Sequence, residues 1–387
     1  MLKCASVFTY EIDDQVEALN EIKKQLDEQL TFLKNTVGII MCHPEFITSG
    51  TLRYICENLT FEVAGVTTSS QAVRGEAGEL ILTMLIMTSD DVSFKVGVTE
   101  SFSKDAAAPV KAAYEKASAG ETGHPGLAII FPPLMLGDLS GDAFLTSWKE
   151  LLPKTPIFGQ IAMDDTVSFA DSEVIHNGIN YKKALSFILF YGNINPRFLV
   201  ATLHENSEVS LDAEITKAKD NIVYEIDNIN TREFFMSHLG GQESMLTFPL
   251  KISSPASDDD DGIPVVREQP FYAADGAGIF SGTVEEGAKI SLLKFDKDSI
   301  LSKSKAKIEK INELPDANGA LLLSCIARRI VLVGTGDHLT ELNIAKDTIK
   351  DIPFMMGYAG GEICPTSIRD GIPFNRFHNN SVVILVI

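Results

Sequence analysis

From Asp14 to Leu33, apolar Val16, Leu19, Ile22, Leu26, Leu30 and Leu33 recur every third or fourth residue, with charged residues filling the gaps. That spacing lines one face of a helix and predicts a leading amphipathic helix within residues 1–35. The apolar run Val37 to Met41, a helix-like stretch from Glu45 to Glu57 and the β-rich run Phe61 to Thr67 then predict a strand, helix, strand unit. Glu79 to Thr88 and Ser93 to Thr99, parted by the polar Ser89-Asp90-Asp91, predict a hairpin. An alanine-rich helix is expected over Pro109 to Ser118, with the proline in its first turn, where no hydrogen bond is lost. Strand Leu127 to Phe131, helix Ser140 to Leu151 and strand Pro156 to Ile161 continue the alternation.

Strand-like runs then follow closely, at Val167 to Ala170, Glu173 to His176, Ala184 to Phe190 and Arg197 to Leu203. Only antiparallel neighbours can be joined by such short turns, so the fold class is α+β, with mixed, largely antiparallel sheets covered by helices. A second unit opens near Ser210: Ile215 to Ile226 is strand-forming and Thr231 to Leu239 resembles a short helix. Residues 253–262 are rich in Ser, Pro and Asp, with four consecutive aspartates at 258–261, and read as an exposed acidic loop lacking the alternating ligand spacing of a calcium loop. Strand Lys289 to Lys294, helix Lys297 to Leu314, buried strand Ala320 to Cys325 and a final apolar strand, Ser381 to Ile387, complete the chain. At 387 residues two cores are expected, one over 36–209 and one over 210–387.

Charge removes several functions. Asp and Glu number 53 against 33 Lys and Arg, a formal charge of −20 that repels phosphate backbones and anionic lipid heads, so no nucleic-acid partner is expected. Neither a secretory leader nor a stretch of about 18 apolar residues is present, which predicts a cytoplasmic protein without membrane insertion. Five dispersed cysteines without a CxxC pair predict free thiols, and seven scattered histidines without HxxxH spacing predict no metal site.

Three segments carry a resemblance. Gly319-Ala-Leu-Leu-Leu-Ser-Cys-Ile-Ala-Arg328 supplies a strand ending in Cys-x-x-Arg, Gly360-Gly361-Glu362-Ile363-Cys364-Pro365 a Gly-Glu-Ile turn, and Phe377-His378-Asn379-Asn380-Ser381 a His-Asn-x-Ser before the last strand. In that order they resemble the signature of the FIST C-terminal domain. Glu214 to Asp227, Phe248-Pro249-Leu250 and Val266-Arg267 are similar to its earlier strands. Gly65-Val66-Thr67-Thr68 and His176-Asn177-Gly178 resemble the FIST N-terminal domain. The resemblance implies a non-catalytic sensory protein that recognises small molecules such as amino acids. With no kinase, cyclase or receptor output recognisable in the chain, it also implies a separate signalling partner.

The same segments offer chemistry. Arg328 can hold a carboxylate bidentately and Glu362 can accept from an ammonium, so with His378, Asn379 and Cys325 they are candidates for clamping a zwitterion. Thr67 and Thr68, at a hydroxyl-rich strand end, are candidate pocket walls. Each has a plainer reading. Cys325 can be a small core hydrophobe, Arg328 and Glu362 a structural ion pair, His378 and Asn379 loop ties, and the threonines turn formers. Three rivals stay open: a thiol enzyme with Cys325 as nucleophile and His378 as base, a haem or other cofactor carrier liganded by His378, and a pure scaffold for protein partners. No cofactor is indicated by motif.

Overall fold

The computed structural model describes residues 2–135, 137–166, 168–202, 208–238, 249–253, 265–294 and 296–387. Its framework is three six-stranded sheets and one eight-stranded sheet. Every pairing among the described residues is antiparallel except three: Asn35–Cys42 with Glu62–Thr67, Leu127–Phe131 with Ile157–Gln160, and Ala320–Cys325 with Phe354–Ala359. Each six-stranded sheet holds one of these parallel pairs. Such a pair needs a crossover, and the helices supplying it lie between its strands in the chain: Glu45–Thr48 and Thr51–Glu57, then Gly141–Leu151, then Ile326–Gly334 and Thr340–Thr348.

Side-chain alternation explains how the three sheets stack. Val37, Ile39 and Met41 from the first, Leu127, Ile129 and Phe131 from the second, and Leu321, Leu323 and Leu385 from the third meet in one shared core. The opposite face of each sheet packs under its own helices. Ile40 and Met84 meet Leu19, Ile22 and Leu26; Ile130 and Phe187 meet Phe144 and Trp148; Leu322 and Ile384 meet Ile308 and Leu342. A sheet buried on both faces needs continuous apolar strands, and Leu127–Phe131, Ser186–Tyr191 and Val382–Val386 are of that kind.

The two halves of the sequence are interleaved in space. Glu362–Arg369 pairs with Ile157–Gln160, Phe354–Ala359 with Ser70–Val73, and Val382–Val386 with Arg197–Ala201. The eight-stranded sheet, from Glu208–Lys219 to Lys289–Leu293, has its own core around Ile215, Phe234, Phe280 and Ile290. It touches the rest of the molecule largely through polar groups. Arg267 meets Asp142 at 3.1 Å and donates to the Phe377 carbonyl at 3.2 Å, while the Gly141 amide donates to Ser281.

Several expectations need correcting. The leading segment holds a strand, Leu2–Thr9, ahead of its helix, Gln15–Gln29, which Asp14 caps by accepting from the Val16 and Glu17 amides. The helix stops four residues short of Leu33, and Val16 is exposed. The stretch from Glu45 to Glu57 is two short helices, broken where Gly50 takes a φ of 82°. The expected hairpin does not form. Leu82–Ser89 is buried on both faces and lies between Leu2–Thr9 and Asn35–Cys42, whereas Ser93–Val98 joins Ser186–Tyr191 in another sheet. The Ser89 hydroxyl turns the chain between the sheets by accepting from the Asp91 and Val92 amides. Residues 168–170 form no strand, Val167 lies outside the described residues, and so does the acidic loop beyond Ser253. All five cysteines are free thiols, and no helix among the described residues is long and apolar enough to cross a membrane.

Candidate functional site

The carboxyl ends of the three parallel pairs converge. The Met163 amide, just after Ile157–Gln160, donates to the Thr67 carbonyl, and the Ala162 amide donates to Pro132. Ile161 and the Gly360-Gly361 turn exchange two backbone hydrogen bonds, Ile161 N to Gly361 O and Gly360 N to Ile161 O, each 3.1 Å. The turn favours glycine, at Gly361 above all. A Cβ on Gly360 would come within 2.8 Å of the Met163 side chain; one on Gly361, where φ is 138°, would lie 2.3 Å from the Phe377 ring. Ligand sites in sheets with parallel strands gather at carboxyl ends, and here such a place is built three times over.

A narrow pocket of about 30 Å³ opens at this junction. Leu134, Met163, Ile326 and Ala327 give it apolar walls from strand ends and from the first turn of Ile326–Gly334, and Phe169 and Pro270 complete them. Its polar groups are Cys325, Asn379, Glu268 and Ser281, the last two from the region of the eight-stranded sheet.

Two of these polar groups, and several buried near them, are under-satisfied. Both amide atoms of Asn379, Oε2 of Glu268, Oε1 of Glu362, Oδ1 of Asn380 and both amide atoms of Gln160 are buried without a hydrogen-bond partner in the protein. Buried polar atoms are nearly always paired, and of these only Asn379 and Glu268 lie in the pocket lining. Burial pushes the Glu268 carboxyl up to about 8, against one opposing hydrogen bond from the Asn380 side-chain amide. Burial also holds Glu362 well above the usual carboxylate range, opposed by the Ser381 amide, Arg328 and the Cys325 thiol. The Cys325 thiol is raised in turn, first by burial and then by Glu362 and Glu268.

Of the candidates, Cys325 and Asn379 line this pocket. Glu362 stands beside Cys325 and directly opposite His378 in the strand register, so the two share a face. The His378 Nε2 lies 3.1 Å from the Cys364 carbonyl, not on the thiol. Arg328 does not line the pocket. It is wholly buried and paired at 2.7 Å with Glu341, not Glu362, and also donates to Ser304 and to the Ile300 and Asn380 carbonyls. Thr67 and Thr68 are tied into the backbone as well. The Thr67 hydroxyl bridges Glu173, and that of Thr68 bonds both the carbonyl and the amide of Tyr358. Sequence reasoning missed Glu268, Glu341 and Gln160; the one available signal was a charged pair, Arg267-Glu268, directly after a Val-Val strand. No cluster among the described residues has the ligands for a metal ion.

Residues 36–229 match the family model of the FIST N domain, and residues 226–365 that of the FIST C domain. The chain belongs to the FIST family. FIST domains are generally taken to be small-ligand sensory domains of signalling proteins. A comparison with curated proteins finds no match. Among solved structures, the chain is similar to one titled "Structure of PurLQS from Thermotoga maritima", at 10% identity over 100% of this chain and 72% of that one. The TM-score of 0.17 carries no argument. In this FIST chain the two family segments meet at the pocket. Leu134 and Met163 come from the first, and Cys325, Ala327 and Gly360 from the second.

Proposed function

We propose that this FIST protein is a non-catalytic sensor that binds a small polar metabolite, an amino acid or a related compound, in the pocket at the strand ends. A separate signalling protein would read the occupied state. The supporting observation is the pair of orphaned polar groups, Asn379 and Glu268, in the lining of a pocket with mostly apolar walls. Ligand sites share that composition, a few placed polar groups on a hydrophobic lining. A thiol-enzyme reading is disfavoured, because a nucleophilic cysteine needs a lowered pKa and a base in reach. Here burial and two carboxyls raise the thiol, and the His378 Nε2 is engaged with a backbone carbonyl.

Thermal melts against a panel of amino acids, amines and organic acids test the reading. At least one compound is expected to raise the melting temperature by several degrees, and Asn379→Leu, which fills the pocket at similar volume, is expected to abolish the shift. No shift from any compound, together with no retained mass in native mass spectrometry, would overturn it.

A further inference from the structure

Which end of a metabolite the pocket grips follows from what Arg328 is doing. A carboxylate-gripping site needs an available guanidinium or a comparable donor, and the candidate for that role is bonded within its own buried network. The neighbouring Arg329 pairs with Glu79 at 2.6 Å and with Ser70. Arg267 turns from the pocket toward Asp142 and the Phe377 carbonyl. Two carboxyls remain: Glu268 in the lining, and Glu362 behind Cys325, each with an oxygen lacking a partner.

We propose that the pocket takes a compact amine, whose ammonium group is held by Glu268 with Glu362 behind it. This rests on the pocket being the sensory site. A buried carboxyl ionises only against a compensating cation, and a buried ammonium requires acceptors; a guest amine supplies the one and finds the other. The groups facing Glu268 are the Asn380 amide, which donates to its other oxygen, and the Cys325 thiol. Those facing Glu362 are the Ser381 amide, the Cys325 and Cys364 thiols, and the His378 imidazole and Gln160 amide across the strand register, with Arg328 and Glu341 further off. None of them places a positive charge between Glu268 and the open space. One feature favours negative charge: the first turn of Ile326–Gly334, whose Ile326 and Ala327 line the pocket. A small amino acid satisfies both ends, its carboxylate toward that turn and its ammonium toward Glu268. The pocket is small, about 30 Å³, which favours the smallest members of the class.

Protons follow charge. The empty pocket keeps Glu268 largely protonated at neutral pH because its pKa lies near 8. An ammonium drawn against it favours the ionised form, so binding expels a proton and tightens as pH rises toward 8.

Titration calorimetry of the full chain at pH 7 tests this with glycine, methylammonium, acetate and acetamide, in two buffers of different ionisation enthalpy, neither of them an amine. Glycine is expected to bind more tightly than methylammonium, with a heat that differs between buffers as proton release requires, and acetate and acetamide are expected not to bind. Glu268→Gln is expected to weaken glycine by about tenfold to a hundredfold and to remove the buffer dependence. Proton release by the unmodified protein is a readout independent of how the variant folds. Glycine and methylammonium both silent, acetate binding in their place, or amine affinity unchanged in the variant would each overturn the amine assignment. If the wider panel still shifts the melt, the sensory reading survives; if it does not, both fall.

Discussion

The carboxyl of Glu268 is the residue on which site and stability meet. An ordinary glutamate ionises near 4.3 in an unfolded chain, while the folded protein holds this one near 8. Between those values the folded state keeps a proton that the unfolded state has released, so stability falls as pH rises across that window and levels off above it. The slope approaches about 1.4 kcal/mol per pH unit for one fully buried group. In the absence of ligand, Glu268→Gln is therefore expected to melt at the same temperature as the parent at pH 4.5 and well above it at pH 8. Equal melting temperatures across that range would show that Glu268 is not buried in the manner described. The Arg328–Glu341 pair has the opposite character. It is closed on itself by Ser304, by Ser324 and by backbone carbonyls, and neither residue lines the pocket.

Elements place these residues by close backbone approach. Phe354–Ala359 and Glu362–Arg369 belong to different sheets, and the chain crosses between them through Gly360-Gly361 in two residues. The crossing puts Glu362 opposite both His378 and Gln160 in register, at the end of the Ile157–Gln160 strand. Gly361→Ala combines a left-handed backbone with a methyl group against Phe377, and is expected to cost about 2–4 kcal/mol. Urea denaturation should show a lower midpoint with an unchanged slope; an unchanged midpoint would mean the turn relaxes freely. The segment from Glu79 to Thr99 carries a related lesson. Its two apolar runs are strands, as their composition predicts, yet they part at Ser89 and enter different sheets.

At the scale of the molecule, two family segments in tandem along the chain do not become two separate bodies in its framework. Two of the three six-stranded sheets draw strands from both halves. Val382–Val386 lies between Arg197–Ala201 and Ala320–Cys325. A fragment of residues 1–209 would therefore leave the strands Arg197–Ala201, Ser70–Val73 and Ile157–Gln160 without their partners from the second half. It is expected to show no cooperative melt by circular dichroism, whereas the full chain melts sharply; a sharp melt of the fragment would show that the first half is autonomous. The elements themselves were legible in the sequence, because periodicity records which face of a segment is buried. Leu127–Phe131 and Ala320–Cys325 stand where their apolar runs place them, and the order of three short motifs placed the family. What lies against a buried face leaves no such record. Leu2–Thr9 was missed, Arg328 found Glu341 instead of Glu362, and Glu268 came to the pocket from a sheet nearly 60 residues before Cys325. Pairing partners and the convergence of orphaned polar atoms are set by contacts between distant segments. The local burial of each strand is written in its own residues, and only tertiary packing decided which charges would be neutralised within the protein and which left without a partner in it.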